Sequence, residues 1–433
     1  MDHLIPEVWD HIPDDTIYAV PKANLTGREA EKAFHAHKWS PRIAASRPLS
    51  VYVHVPFCTS LCQFCGFVTS GKFSNADLDV FERNVIRELS LAKDEIDCGG
   101  RKLGAVFFGG GTASVLQPNA VANILDHIKA SFEFLDNAEL TFEGECQTLK
   151  RPGYIDAIAQ LGFQRLSFGV QTMDSDIRAL VNLVPSVDLM ANLCKSAKER
   201  FDEVSVDFIF GWPAQTPDHA KGDLIELIET LDPDGIEIFR FEGQDAAPAL
   251  MKLFASLNCA IPSGLKFFDT QQVIHETLLQ YGYSRVSYTK YSRVQHAYAG
   301  GYGPCYYGWN DGEVLGIGRG AQSFIDGAMY GTAHPPALYN ALIESGRLPI
   351  ADFAVYEPGW RENVTWPRRG WIERDVIRAE FRPVIDAMQQ AGLVASQGSR
   401  VVATSAGNLR VPRLLEALWQ SIAPERPVQE LAG

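Results

Sequence analysis

Six short apolar segments, each followed by a longer stretch with apolar residues at spacings of three and four, set the architecture open to this chain. The strand candidates are 51–55, 103–108, 139–142, 165–170, 204–210 and 235–241, and 77–91, 119–131 and 218–231 are among the helical stretches between them. Strand then helix, repeated, gives parallel strands joined by crossovers. Ser74-Asn75-Ala76-Asp77 supplies capping residues before the first of these helices. Such units build either an open doubly wound sheet or a barrel. In an α/β barrel the chemistry gathers at the C-terminal ends of the strands. Here three cysteines follow the first strand, Gly109-Gly110-Gly111-Thr112 the second, Glu143 the third, Gln171 the fourth and Pro213 the fifth. The expected fold is a partial (β/α)6 TIM-like barrel in which these residues share one mouth.

The barrel units occupy 49–265, after a polar, proline-containing extension over 1–48. A connecting region follows over 266–350, with a helix near 270–281, an aromatic, glycine-rich stretch over 283–309 and then Leu315-Gly316-Ile317-Gly318-Arg319-Gly320-Ala321. Residues 351–433 read as two helices, Gly392-Leu393-Val394 with Val401-Val402-Ala403-Thr404, and a last helix: a small winged-helix-like unit. At 433 residues, 46% hydrophobic and 21% charged, the chain has the make-up of a folded globular protein with a large core. A net charge of −14 opposes binding to nucleic acid and to anionic membranes. No apolar run approaches the roughly 18 residues of a membrane span, and Met1-Asp2-His3-Leu4-Ile5-Pro6 does not open a signal peptide, so a cytoplasmic location is expected. Eight cysteines are too sparse for a disulfide framework.

Three of those cysteines, in Cys58-Thr59-Ser60-Leu61-Cys62-Gln63-Phe64-Cys65, crowd one short segment directly after a strand. Three thiolates converging on a cubane iron–sulfur cluster, which usually takes four cysteine ligands, leave one iron open for a small molecule. Structural zinc, with His54 or a remote cysteine as the fourth ligand, is an alternative. No second knuckle occurs among Cys98, Cys146, Cys194, Cys259 and Cys305, which weighs against it. Three unrelated thiols are the remaining reading. Gly316-Ile317-Gly318-Arg319-Gly320-Ala321 formally matches a dinucleotide-binding pattern but lacks the βαβ context.

The cysteine spacing and its lead-in, Tyr52-Val53-His54-Val55-Pro56-Phe57-Cys58, resemble the HemN-like branch of the radical S-adenosylmethionine (SAM) family, named for oxygen-independent coproporphyrinogen III dehydrogenase. The resemblance continues in order through the glycine run, Gly162-Phe163-Gln164-Arg165-Leu166-Ser167-Phe168-Gly169-Val170-Gln171, Val206-Asp207-Phe208-Ile209-Phe210-Gly211-Trp212-Pro213, 315–323 and 392–419. It implies a 4Fe-4S cluster on Cys58, Cys62 and Cys65, with SAM at the open iron cleaved to a 5′-deoxyadenosyl radical. It also implies SAM contacts at Tyr52, Phe64, Gly66, Gly109, Gly110, Gly111, Thr112, Glu143, Gln171, Asp207, Phe239 and Ala321, the last two lying in regions expected to serve a second SAM. The C-terminal unit is expected to be a HemN-type domain. An electron donor such as flavodoxin or ferredoxin is implied as partner.

Two departures separate the branches. The dehydrogenase carries another cysteine two positions after the triad and an arginine near SAM, where this chain has Cys65-Gly66-Phe67 and Leu183. The haem-chaperone branch carries His-Asn-x-x-Tyr-Trp, where this chain has Pro304-Cys305-Tyr306-Tyr307-Gly308-Trp309. Glu143-Gly144-Glu145, lacking the usual proline, is similar to variants among HemN-like methyltransferases. The favoured reading is therefore a class C-type methyl or methylene transferase using two SAM molecules on an unsaturated or aromatic carbon. The alternatives are a coproporphyrinogen dehydrogenase-like oxidative decarboxylase and a non-catalytic haem-binding chaperone. The aromatic stretch over 283–309 suits a flat, conjugated small-molecule substrate.

Overall fold

The computed structural model describes residues 25–39, 48–67, 69–96, 101–241, 243, 246–259, 265–287, 289–294, 313–356 and 359–408, with 411, 414, 415 and 418. The chain enters through β1 (Leu25–Thr26) and α1 (Gly27–Ala36). It then alternates: β2 (Leu49–Val55), α2 (Asn75–Glu95), β3 (Lys102–Gly110), α3 (Pro118–Ser131), β4 (Glu133–Gly144), the short α4 (Cys146–Leu149), α5 (Tyr154–Gln160) and β5 (Arg165–Gln171). The alternation continues through α6 (Ser175–Leu180), α7 (Val187–Lys198), β6 (Glu203–Phe210), α8 (Pro217–Leu231) and β7 (Gly235–Arg240). All six expected strands are present and run parallel in the order β2 to β7. The Ser74 side chain accepts from the Asp77 N–H while Asp77 accepts from the Ser74 N–H, so the expected cap of α2 is a complete capping box.

Side chains alternate across each strand. Val51, Val53, Val55, Val106, Phe108, Phe142, Leu166, Phe168, Val170, Val204, Val206, Phe208 and Ile236 have no solvent exposure and share the main apolar core with residues of the crossover helices such as Val85, Ile124, Ile158 and Leu224. The other face is polar. Register aligns Glu143 with Ser167, Ser167 with Ser205, and Asp207 with both Gly169 and Glu237, so these residues look into one interior.

After α9 (Pro248–Ser256), α10 (Leu265–Gln280) packs on α8, and β8 (Ser284–Arg285) with β9 (Lys290–Ser292) adds antiparallel strands beyond β7. The late residues 313–317, not among the expected strands, form β10 (Glu313–Ile317), a further parallel strand on the far side of β2. β11 (Gln322–Ile325), β12 (Ala328–Thr332) and, after α11 (Pro336–Glu344), β13 (Ile350–Val355) continue antiparallel, and β1 closes that edge. β13 runs across position 351, where the sequence suggested a boundary. Beyond it, α12 (Trp360–Arg369), β14 (Trp371–Glu373), α13 (Arg382–Gln390), β15 (Val394–Gln397), β16 (Arg400–Ala403) and α14 (Ser405–Asn408) form a second, three-stranded antiparallel sheet with its own core around Trp366, Phe381 and Met388. Among the described strands β7 and β10 are not joined, so the parallel run is an arc and not a closed barrel. No helix among the described residues is long and apolar enough to cross a membrane.

Candidate active site

The cysteine loop is pinched shut at its neck. The Cys58 N–H donates to the Ser70 carbonyl at 3.1 Å and the Ser70 N–H to the Pro56 carbonyl at 2.8 Å. Arg319, from the turn after β10, donates to the same Pro56 carbonyl at 3.2 Å and to the His334 carbonyl at 3.0 Å. Inside the loop, Gln63 is tied by backbone bonds to Val181 at 3.3 Å and to Ala247 at 2.6 Å, which docks the loop on the segments after β5 and β7. Cys58 and Cys62 are partly buried and Cys65 is exposed. Burial, with charge on Cys65 and Cys58 close by, pushes the Cys62 thiol up to about 12. Burial also raises the Cys58 thiol, although the Thr112 hydroxyl donates to its sulfur at 3.6 Å.

Among the described residues no group of three or more His, Cys, Asp or Glu side chains is arranged to hold a metal ion. The three thiols therefore share a loop without closing on a centre. As a donor set they fit an iron–sulfur cluster: three cysteines, mutually close enough to disfavour one another's ionisation, which a bound cation reverses.

The glycine run lines the neck because nothing larger fits. A Cβ on Gly111 would stand 2.7 Å from the Phe57 carbonyl and 3.0 Å from the Cys58 sulfur, and one on Gly109 would stand 2.5 Å from a Glu143 oxygen. Gly110 has φ 105° and would drive a Cβ into His54, whose ring nitrogen pairs with the Tyr52 hydroxyl at 2.9 Å. The Gly110 N–H donates to the Glu143 carboxylate. Burial, then the charges of Asp207 and Glu237, hold Glu143 well above the usual carboxylate range. Asp207 is raised likewise, by burial and then by Glu237, with Arg165 opposing. Two partly buried carboxylates, both raised, thus face one interior beside the cysteines, an arrangement that favours a cationic ligand.

Phe64 stands edge-on to Trp212 at 5.6 Å and, with Leu183 and Phe239, packs on an apolar cluster that includes Phe241 and Leu250. Gly66 is exposed. Ala321 is buried in the turn after β10, and its N–H and carbonyl are both bonded within that hairpin, to Gly318 and Thr332. The glycine pattern at 316–321 is therefore the end of a strand and a tight turn. The aromatic run at 304–309, and Glu242 past the end of β7, lie outside the described residues.

Inward residues that the motifs did not single out complete the site. Arg165 pairs with Glu237 and approaches Glu203 at 3.6 Å, and Lys290 reaches Glu203 at 3.1 Å, so cations and carboxylates balance below Asp207. Their signal in the sequence was a polar residue at every second position of strands otherwise apolar.

Residues 52–227 match the family model described as the Radical SAM superfamily. The chain is 28% identical to the oxygen-independent coproporphyrinogen III oxidase of Salmonella typhimurium, over 79% of this chain and 74% of that protein. It is 26% identical to the heme chaperone HemW of Escherichia coli, over 66% of this chain and 75% of that protein. The solved structure of coproporphyrinogen III oxidase (HemN) from Escherichia coli superposes with a TM-score of 0.73 at 21% identity, covering 94% of this chain and 96% of that one, which shows a common fold. These relatives carry oxidase and chaperone names, so they support the two alternatives better than the methyl-transfer reading first favoured. With its cysteine loop at the end of the first parallel strand, the chain carries a match to the Radical SAM superfamily over residues 52–227 and is similar in sequence and fold to HemN-like proteins.

Proposed function

We propose that the protein is a radical SAM enzyme of the oxidase type, taking a hydrogen atom directly from a flat, conjugated small molecule of the porphyrinogen class. The observation that carries this reading is the pair of partly buried carboxylates with raised values, Glu143 and Asp207, facing the same interior as the glycine run and the cysteine loop. Cys58, Cys62 and Cys65 would hold a 4Fe-4S cluster and leave one iron for SAM. Cluster and SAM, when bound, supply a 5′-deoxyadenosyl radical as the hydrogen acceptor. Glu143, fixed by the Gly110 N–H, meets the ammonium end of SAM, and Asp207 with Gln171 meets the ribose and the cationic side. Phe64 and Gly66 border the adenine, and Thr112 orients the Cys58 sulfur. Desolvation of the inward face strengthens each of these contacts and keeps water from quenching a radical.

A second reading, methylene transfer from a second SAM held near Phe239 and the 316–323 hairpin, is favoured by one observation. Leu183 packs against the apolar cluster of Phe241 and Trp212, at the position where the oxidase pattern places an arginine. Anaerobic turnover with SAM deuterated on its methyl group separates the two. Direct abstraction predicts 5′-deoxyadenosine free of methyl deuterium and carrying substrate hydrogen. Methyl deuterium in 5′-deoxyadenosine, with S-adenosylhomocysteine as co-product, overturns that reading in favour of transfer. Haem binding without SAM cleavage overturns both in favour of a chaperone.

A further inference from the structure

Gln171 ends β5 with φ 71°, in the left-handed region that a residue with a side chain keeps only where its surroundings over-determine it. The surroundings come largely from outside the mouth. Asp223, buried in the middle of α8, accepts from the Thr172 hydroxyl at 2.6 Å through one oxygen and from the Met173 N–H at 2.5 Å through the other. The Thr172 hydroxyl in turn accepts from the Asp174 N–H at 3.1 Å. Arg178, also buried, donates to the carbonyls on either side of Gln171, Val170 at 3.1 Å and Thr172 at 2.8 Å. The result is a bend that turns the Gln171 side chain back along its own strand. Its amide nitrogen then occupies the space over Gly169 where any larger residue's Cβ would fall, directly beside Asp207 in register.

We propose that Asp223 is a positioning residue for SAM: by clamping Thr172 and Met173 it holds Gln171 in the strained bend that presents its amide to the ligand beside Asp207. Gly169, Gln171 and Asp223 then act as one device. Gly169 leaves the room, Gln171 fills it, and Asp223, on a helix packed against the outer face of the arc, keeps it there. This inference rests on the reading of Gln171 as a SAM contact.

The test is equilibrium binding of SAM to the reconstituted, unreduced holoprotein, with iron content and circular dichroism measured alongside. Gln171→Ala is expected to weaken SAM binding about tenfold, the value of one good hydrogen bond. Asp223→Asn, which sets an amide donor against one of the two donors it now accepts, is expected to weaken SAM binding to a similar extent with iron content unchanged. The double variant is expected to bind no more weakly than either single one, because two residues acting through one contact are not additive. Thr172→Val removes the hydroxyl half of the clamp and gives the same reading should Asp223→Asn not fold. Wild-type SAM affinity in Asp223→Asn or Thr172→Val beside a weakened Gln171→Ala overturns the positioning role alone, as do additive losses in the double variant. Wild-type affinity in Gln171→Ala overturns the assignment of Gln171 and the positioning role with it.

Discussion

At the scale of single residues, the groups proposed to hold the cluster are separable from those proposed to meet SAM. Glu143 lies on β4, on a different element from the cysteine loop, and bonds to the Gly110 N–H. Glu143→Ala is therefore expected to reduce SAM cleavage by at least tenfold with iron content near normal, since the lost charge-assisted contact is worth about 1.5–3 kcal/mol. Parallel loss of iron and activity would instead mark a folding defect. Because burial and the neighbouring Asp207 and Glu237 raise the Glu143 carboxyl, it keeps its proton to a higher pH than an ordinary glutamate, while a cationic ligand binds its ionised form. SAM binding should then release protons and tighten from pH 6 to pH 8.5, and Glu143→Gln should flatten that dependence. An unchanged slope in the variant would remove Glu143 from the ligand. Gly111→Ala tests the neck: its Cβ at 2.7 Å from the Phe57 carbonyl should displace the Cys58 segment and lower the iron retained after reconstitution.

At the scale of elements, the parallel arc was legible because its strands alternate and its helices carry a 3.6-residue stripe. The six strand positions and the capping box at Ser74 emerge where expected. β10 was hidden because Leu315-Gly316-Ile317-Gly318 holds two glycines, which weaken a strand pattern. Both answer to close backbone approach, since a Cβ on Gly316, within β10, would collide with the Gln322 carbonyl and one on Gly318, just past its end, with the His54 carbonyl. The Arg165, Glu203, Glu237 and Lys290 network was equally hidden, because pairing across strands 38 or more residues apart is a property of register. The join between β10 and the helical layer makes its own prediction. Glu88 on α2 is fully buried, accepts from the Gly318 N–H at 2.8 Å and from the Tyr339 hydroxyl, and is pushed up to about 7 by burial. A raised folded-state value gives stability that is complete below about 4.5, the ordinary glutamate value, and lost as pH rises through 7. Glu88→Gln should thus leave the melting temperature nearly unchanged at pH 5 and raise it at pH 8, by the equivalent of about 1–3 kcal/mol. A drop at both pH values would show that the carboxylate's own hydrogen bonds outweigh its desolvation.

At the scale of the whole molecule, one interior collects groups from every parallel strand of the original six, and the cysteine loop, the 318–321 turn and the segment after β7 close around its rim. The crowding of the three cysteines just after β2 was legible from spacing alone, and the strand-end places of the glycine run, Glu143 and Gln171 from the alternation along the chain. The choice among radical outcomes was not, because it depends on what meets the substrate, and part of the aromatic stretch expected there lies outside the described residues. The central claim is that the Cys58, Cys62 and Cys65 loop makes this a SAM-cleaving protein. Its most direct measurement compares wild type with the Cys58→Ala, Cys62→Ala, Cys65→Ala triple variant after anaerobic iron–sulfur reconstitution, reading bound iron and the 5′-deoxyadenosine formed from SAM under a low-potential reductant. About four irons per wild-type chain with 5′-deoxyadenosine released are expected, and neither in the triple variant. A triple variant that retains the cluster, or a fully loaded wild type that leaves SAM intact, would contradict the claim.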